Sequence, residues 1–174
     1  EHPEGSEMPL GNLSMEEFAS SNDAAVVVLA RPAAHYDPKL TNFEQDMLKK
    51  VTGAFSRVVL VLAAPGYMEL TQEARSCGAI VLLGLAGQEA GYALADVLTG
   101  RVCPSGKLSF SWSEKLESFG LAAQQLDSFL GYRYFDTFGG ELLFPFGYGL
   151  GYGKAEFSSV SVGLDGCDVT VSAT

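Results

Sequence analysis

Gly87-Gln-Glu-Ala-Gly-Tyr-Ala-Leu-Ala-Asp96-Val-Leu-Thr-Gly100-Arg-Val-Cys-Pro104-Ser-Gly106-Lys-Leu108 joins a glycine-led helix to a Pro-Ser-Gly turn and then a strand. Ala90, Ala93, Leu94, Val97 and Leu98 recur at i, i+3, i+4 and i+7 spacing, which predicts a helix with one apolar face. The small residues Gly91, Ala93 and Ala95 let such a helix lie close to a sheet. Gly100 stands where a helix needs a left-handed stop, and Pro104-Ser105-Gly106 is expected to turn the chain. Leu108, Phe110 and Trp112 then alternate with Lys107, Ser109 and Ser111, the period of a strand with one buried face.

Upstream, three apolar, β-branched runs, Ala24 to Ala30, Arg57 to Ala64 and Ala79 to Leu85, are separated by segments of helical periodicity. That alternation predicts an α/β fold, a mostly parallel sheet covered by helices in the order β-α-β-α-β-α-β. Ser14-Met-Glu-Glu17 and Thr41-Asn-Phe-Glu44 both fit the capping box, in which hydroxyl and carboxylate satisfy the first free amides of a helix. Behind the second box, Phe43, Met47, Leu48, Val51 and Phe55 share a face, so a helix is expected from Asn42 to Gly53. Further helices are expected over Tyr67 to Ser76 and Gln88 to Thr99.

Downstream, the glycine- and aromatic-rich region from Gly131 to Gly153 has neither period and reads as an ordered loop. Phe157, Val160, Val162 and Leu164 then lead through Asp165-Gly166, a hairpin signal, to Val169 and Val171. These resemble the first strands of an all-β module.

The 174 residues suit one domain, or one domain and the start of another. With 47% hydrophobic and 18% charged residues the composition is that of a folded globular chain. A formal charge of -10 offers no basic stripe for nucleic-acid phosphates, and the apolar runs are too short for a membrane-spanning helix. The first residue is Glu1, which fits a piece of a longer protein. Cys77, Cys103 and Cys167 are widely spaced, with no CxxC pair and two histidines in all. They read as free thiols, which leans towards a reducing, cytoplasmic compartment rather than a secreted one.

The run from Gly87 to Leu108, with Gly131-Tyr-Arg-Tyr-Phe-Asp136 and Phe144-Pro-Phe-Gly-Tyr-Gly-Leu150, resembles the second domain of glycoside hydrolase family 3, the β-glucosidase-like enzymes. The likeness extends from about Asp23 to Phe157, with three separated motifs in the same order. It implies a three-layer α/β/α sandwich over residues 1–153 and the truncated start of a fibronectin-III-like β-sandwich over 154–174. It also implies hydrolysis of a β-linked glycoside with retention, by two carboxylates about 5 Å apart. The nucleophile of the family is an Asp on a TIM-like barrel, which these 174 residues do not contain. That barrel is the expected intramolecular partner, no cofactor or metal is implied, and the chain by itself is expected to be inactive.

The family's acid/base Glu lies in the loop after the domain's first strand, in a pattern like Arg-x-x-Gly-Glu-Gly-x-Asp. The corresponding stretch here is Arg31-Pro-Ala-Ala-His35-Tyr-Asp37, which begins and ends alike but is short and has no Glu. The acid has been lost, another residue serves, or residues are missing from the sequence. The last is favoured because Glu117 to Asp127 also looks shortened against the family.

No catalytic residue is therefore assigned, and the acid/base loop spans Arg31, His35 and Asp37. His35 titrates near neutrality but reads as an ordinary loop histidine, and Asp37 as a loop anchor. Arg31 is a candidate to pair with a carboxylate of the loop or barrel, or with substrate. Tyr132 is a candidate to stack on sugar, whereas Phe144, Phe146 and Tyr148 read as structural plugs. Gly84, Gly87 and Gly91 imitate a dinucleotide fingerprint, but they follow the third strand rather than the first, and helix–sheet packing explains them better. The alternative to a glycosidase domain is a carbohydrate-binding or regulatory domain that has lost the Glu. A flavodoxin-like nucleotide binder is a third, weaker reading.

Overall fold

A computed structural model describes residues 15–34, 36–114, 131–153 and 158–173. Helix α1 (Met15–Ser21) precedes strand β1 (Ala25–Ala30), helix α2 (Asn42–Ala54), strand β2 (Val58–Ala63), the short helix α3 (Gln72–Arg75), strand β3 (Ala79–Leu82) and helix α4 (Ala90–Leu98). Helix α5 (Tyr132–Phe138) and the strands β4 (Val160–Asp165) and β5 (Asp168–Ala173) follow. Strands β1, β2 and β3 form a parallel sheet in that order, so the chain is an α/β sandwich of the expected class.

Register decides which side chains share a face. Ala25, Val27 and Leu29 lie beside Val58, Leu60 and Leu62, and Leu60 and Leu62 lie beside Ile80 and Leu82. This face packs with Leu48 and Val51 of α2 and with Met68, Leu70 and Ala74 around α3, forming the core. Leu29, Leu48, Leu60, Leu62 and Met68 are fully buried, each worth about 1.5–3 kcal/mol in apolar area removed from water. On the opposite face Val61 is sealed, while Val26 and Val28 remain about half exposed, at 51% and 45%.

Local chemistry explains the helix ends. Thr41 and Glu44 form the expected capping box on α2. Helix α4 ends as its sequence predicts: Gly100 takes φ 76°. The Gly100 amide donates to Val97 and the Arg101 amide to Asp96, the paired bonds of a Schellman stop. Ser14 of the first expected capping box lies outside the described residues.

Three expectations are corrected. The helix from Tyr67 to Ser76 contracts to Gln72–Arg75, because Met68 and Leu70 are both buried at period two, and Thr71 supplies the N-cap. The loop from Gly131 contains α5, whose Tyr134 and Phe138 rings meet one turn apart at 5.2 Å. The fourth strand, over Lys107 to Trp112, does not join the parallel sheet. Instead Trp112 bridges Phe144 in antiparallel fashion, and Leu108 bonds to Gly147 and Tyr148. Pro145, which lies between these two contacts and has no amide to donate, interrupts the ladder. The hairpin β4–β5 turns at Asp165–Asp168, as the Asp-Gly signal predicts. Phe157 lies outside the described residues.

Candidate active-site edge

Parallel strands deliver their following loops to one edge of the sheet, where open α/β folds bind ligands. Three loops leave this edge: 31–41 after β1, 64–71 after β2 and 83–89 after β3. The Arg31 amide donates to Ala63 and the Leu83 amide to Leu62, carrying the strand alignment into the loops. The Glu69 amide donates to the Pro38 carbonyl at 2.8 Å, joining the first loop to the second. The Trp112 indole donates to the Met68 carbonyl at 2.8 Å, and the Tyr67 hydroxyl to the Ser113 carbonyl at 3.2 Å. Trp112 is also ringed by Tyr67, Phe110 and Phe144, at centroid distances of 5.6, 5.5 and 6.3 Å. Trp112 and Ser113 thus pack against the second loop.

Within the first loop, Arg31 is buried, at 8% exposure, and faces Glu44, at 1%. The pair is bidentate, with Nη1 to Oε1 at 2.6 Å and Nη2 to Oε2 at 2.7 Å. Arg31 also donates to the carbonyls of Ala30 (3.0 Å), Asp37 (3.1 Å) and Lys39 (3.1 Å). Glu44 further accepts from the amide and hydroxyl of Thr41, at 2.6 and 2.9 Å. Burial pushes the Glu44 carboxyl pKa up, but the hydrogen bonds from Arg31 and Thr41, with the guanidinium charge, outweigh it and hold it below the usual carboxylate range.

Asp37 is exposed, and its Oδ1 accepts from the Lys39 amide at 2.9 Å. The buried Tyr36 hydroxyl has no hydrogen-bond partner among the described residues, and burial raises its pKa. His35 and the stretch from Glu117 to Asp127 lie outside the described residues. Sequence reasoning brought Arg31 and Asp37 together, as the structure does, but read Glu44 only as a helix cap. Its second task was signalled by a lone Arg closing an apolar strand.

Tyr132 stands on α5, 42% exposed, and stacks on Phe146 at 4.7 Å, with the Arg133 guanidinium 5.9 Å from its ring. Phe146 is itself 50% exposed, which corrects its reading as a plug; Phe144 is the ring that packs against Trp112. Among the described residues, the carboxyl groups whose pKa moves, Glu44 and Glu73, both move down. A general acid needs the opposite shift. No cluster of three metal-ligating side chains occurs among the described residues, and none of their helices is long and apolar enough to cross a membrane.

The chain is 36% identical over 166 residues to the thermostable β-glucosidase B of Acetivibrio thermocellus, covering 84% of this chain and 22% of that protein. It is 33% identical over 181 residues to an exo-α-(1→6)-L-arabinopyranosidase of Bifidobacterium longum, covering 91% and 23%. β-Glucosidase 3B of Thermotoga neapolitana, solved with glucose, superposes with a TM-score of 0.83 at 32% identity, over 95% of this chain and 27% of that one. The chain thus spans about a quarter of the length of these proteins. The profile described as the glycosyl hydrolase family 3 C-terminal domain matches residues 11–152, and the chain belongs to glycoside hydrolase family 3 through that domain.

Proposed function

We propose that this chain is the acid/base-side domain of a retaining, β-glucosidase-related family 3 hydrolase. It lends the loop after β1 and part of the active-site wall to a TIM-like barrel that carries the Asp nucleophile. The family match over residues 11–152 carries the reading, and the gathering of three loops at the ligand-binding edge of the sheet supports it. Tyr132, exposed on α5, is the side chain proposed to stack on sugar. Arg31 has its donors turned into the protein, so its proposed part is to shape the loop.

Hydrolysis needs a nucleophile and a proton donor on opposite sides of the glycosidic bond. The described residues offer neither a raised carboxylic acid nor a second carboxylate beside one. The 174-residue chain is therefore expected to leave a nitrophenyl β-glucoside intact, whereas the gene product that carries it, barrel included, hydrolyses it with retention. Turnover by the chain alone refutes the division of labour.

The absence of a Glu between Arg31 and Asp37 favours one second reading, a carbohydrate-binding or regulatory domain. It predicts that the gene product binds the glycoside without cleaving it. Residues 154–174 are read as opening a fibronectin-III-like module. Val160, Val162, Leu164, Val169 and Val171 share one face of the hairpin and are each more than 60% exposed, as strands awaiting a second sheet would be.

A further inference from the structure

Arg31 and Glu44 form the one bidentate ion pair found among the described residues, and it stands beside the loop rather than on its surface. A guanidinium has five N–H donors in a fixed plane. All five have acceptors here: Nε bonds Asp37, Nη1 bonds Ala30 and Glu44, and Nη2 bonds Lys39 and Glu44. Three of these acceptors are backbone carbonyls, at the end of β1, in the middle of the loop and near its close. The other two belong to a carboxylate fixed in the first turn of α2 by Thr41. One side chain thus ties the end of β1 and two points of the loop to a helix.

Elsewhere the loop is held by the Glu69 amide on the Pro38 carbonyl and by Tyr36, which packs against the core. Pro32, Ala33, Ala34, Asp37 and Lys39 are exposed, and Leu40 is the loop's buried apolar anchor. A buried ion pair is seldom retained for stability alone, since packed apolar residues of like volume often do as well. What an apolar pair does not supply is a planar set of donors aimed at carbonyls on both limbs of a loop.

We propose that Arg31 and Glu44 are positioning residues for the glycosidase reaction: they set the shape of loop 32–41, and through it the placement of the group that protonates the leaving oxygen. This rests on the proposed function above. Both residues act from within the protein, with their side chains buried against each other. The consequence is a selective defect in kcat/KM, which reports the first step, because there only aglycones that need protonation depend on that placement; the second step, in which the same group serves as base, is common to all substrates.

The test compares Glu44→Gln and Arg31→Lys in the gene product that carries this chain, on two substrates. Phenyl β-glucoside needs acid assistance; 2,4-dinitrophenyl β-glucoside, with its acidic leaving group, does not. Each variant is expected to lower kcat/KM on the phenyl glycoside about tenfold or more and to leave kcat/KM on the dinitrophenyl glycoside far less affected. The ratio of the two rates does not depend on how much enzyme is folded, so partial misfolding cannot imitate the effect. An unchanged ratio in both variants overturns the positioning role while leaving the domain reading intact. If the unaltered gene product cleaves neither glycoside, the domain reading fails and the proposal with it.

Discussion

Glu44→Gln in the 174-residue chain tests whether the buried pair is coupled to folding in the way its geometry requires. The substitution preserves shape but leaves the Arg31 guanidinium, 8% exposed, without a counter-charge. Removing one partner of a buried pair costs about 3–5 kcal/mol. Glutamine keeps one oxygen for a guanidinium N–H or for Thr41, which places the expected loss near the lower limit, about 3 kcal/mol. For a chain of this length that corresponds to a fall in Tm of about 6–12 °C. Trp112, the sole tryptophan and 2% exposed, reports unfolding in urea by its fluorescence. The pH dependence supplies the sharper check. Because the folded Glu44 pKa lies below its unfolded value, the contribution of the pair is fully present above the ordinary Glu pKa of about 4.3 and is lost as pH falls through the folded value. The stabilities of the parent and Glu44→Gln should therefore differ at pH 7 and converge in acid, where both side chains are neutral. A gap under about 1 kcal/mol at pH 7, or one that persists unchanged into acid, refutes the reasoning. The double variant Arg31→Met with Glu44→Leu is expected to recover most of the lost stability.

Two other substitutions test close packing and polar burial. A Cβ on Gly149 would lie 2.5 Å from the Gly106 carbonyl oxygen and 2.9 Å from Lys107 Cδ, so Gly149→Ala must push two backbone segments apart. It is expected to cost about 1–3 kcal/mol in urea unfolding, and a neutral result would mean the two segments do not touch. Tyr36→Phe removes the buried hydroxyl that lacks a partner among the described residues and is expected to be neutral or to stabilise by up to about 1 kcal/mol. A loss above 1 kcal/mol would show that the hydroxyl is engaged.

The parts of the fold legible in the sequence were those fixed by neighbours along the chain. Thr41 and Glu44 cap α2 because they stand three residues apart, and Gly100 stops α4 because its own backbone must turn left-handed. The three strands of the parallel sheet were visible because each is a short apolar run between helical segments. Where a distant segment decides, the reading failed. Lys107 to Trp112 carries a good strand pattern, but its partner brings Pro145, and only two points of pairing survive. Tyr132 to Phe138 showed no apolar stripe because its aromatic residues lie around the helix, with Phe135 buried and Phe138 64% exposed.

The candidate site obeys the same division. Arg31 and Asp37 were legible as the two ends of a loop, since a resemblance in pattern needs only sequence. Glu44 was not, because one residue does two jobs at different ranges: its carboxylate caps its own helix through Thr41 and neutralises an arginine across the loop. The capping box alone accounts fully for a glutamate at that position, so nothing local called for a second explanation. The buried arginine does. A cation that closes an apolar strand must find an anion within the fold, and the nearest carboxylate held still enough to serve is one already fixed by a helix cap. A buried cation at a strand end and a capped carboxylate on the next helix are together the signal of the pair that ties this loop to α2.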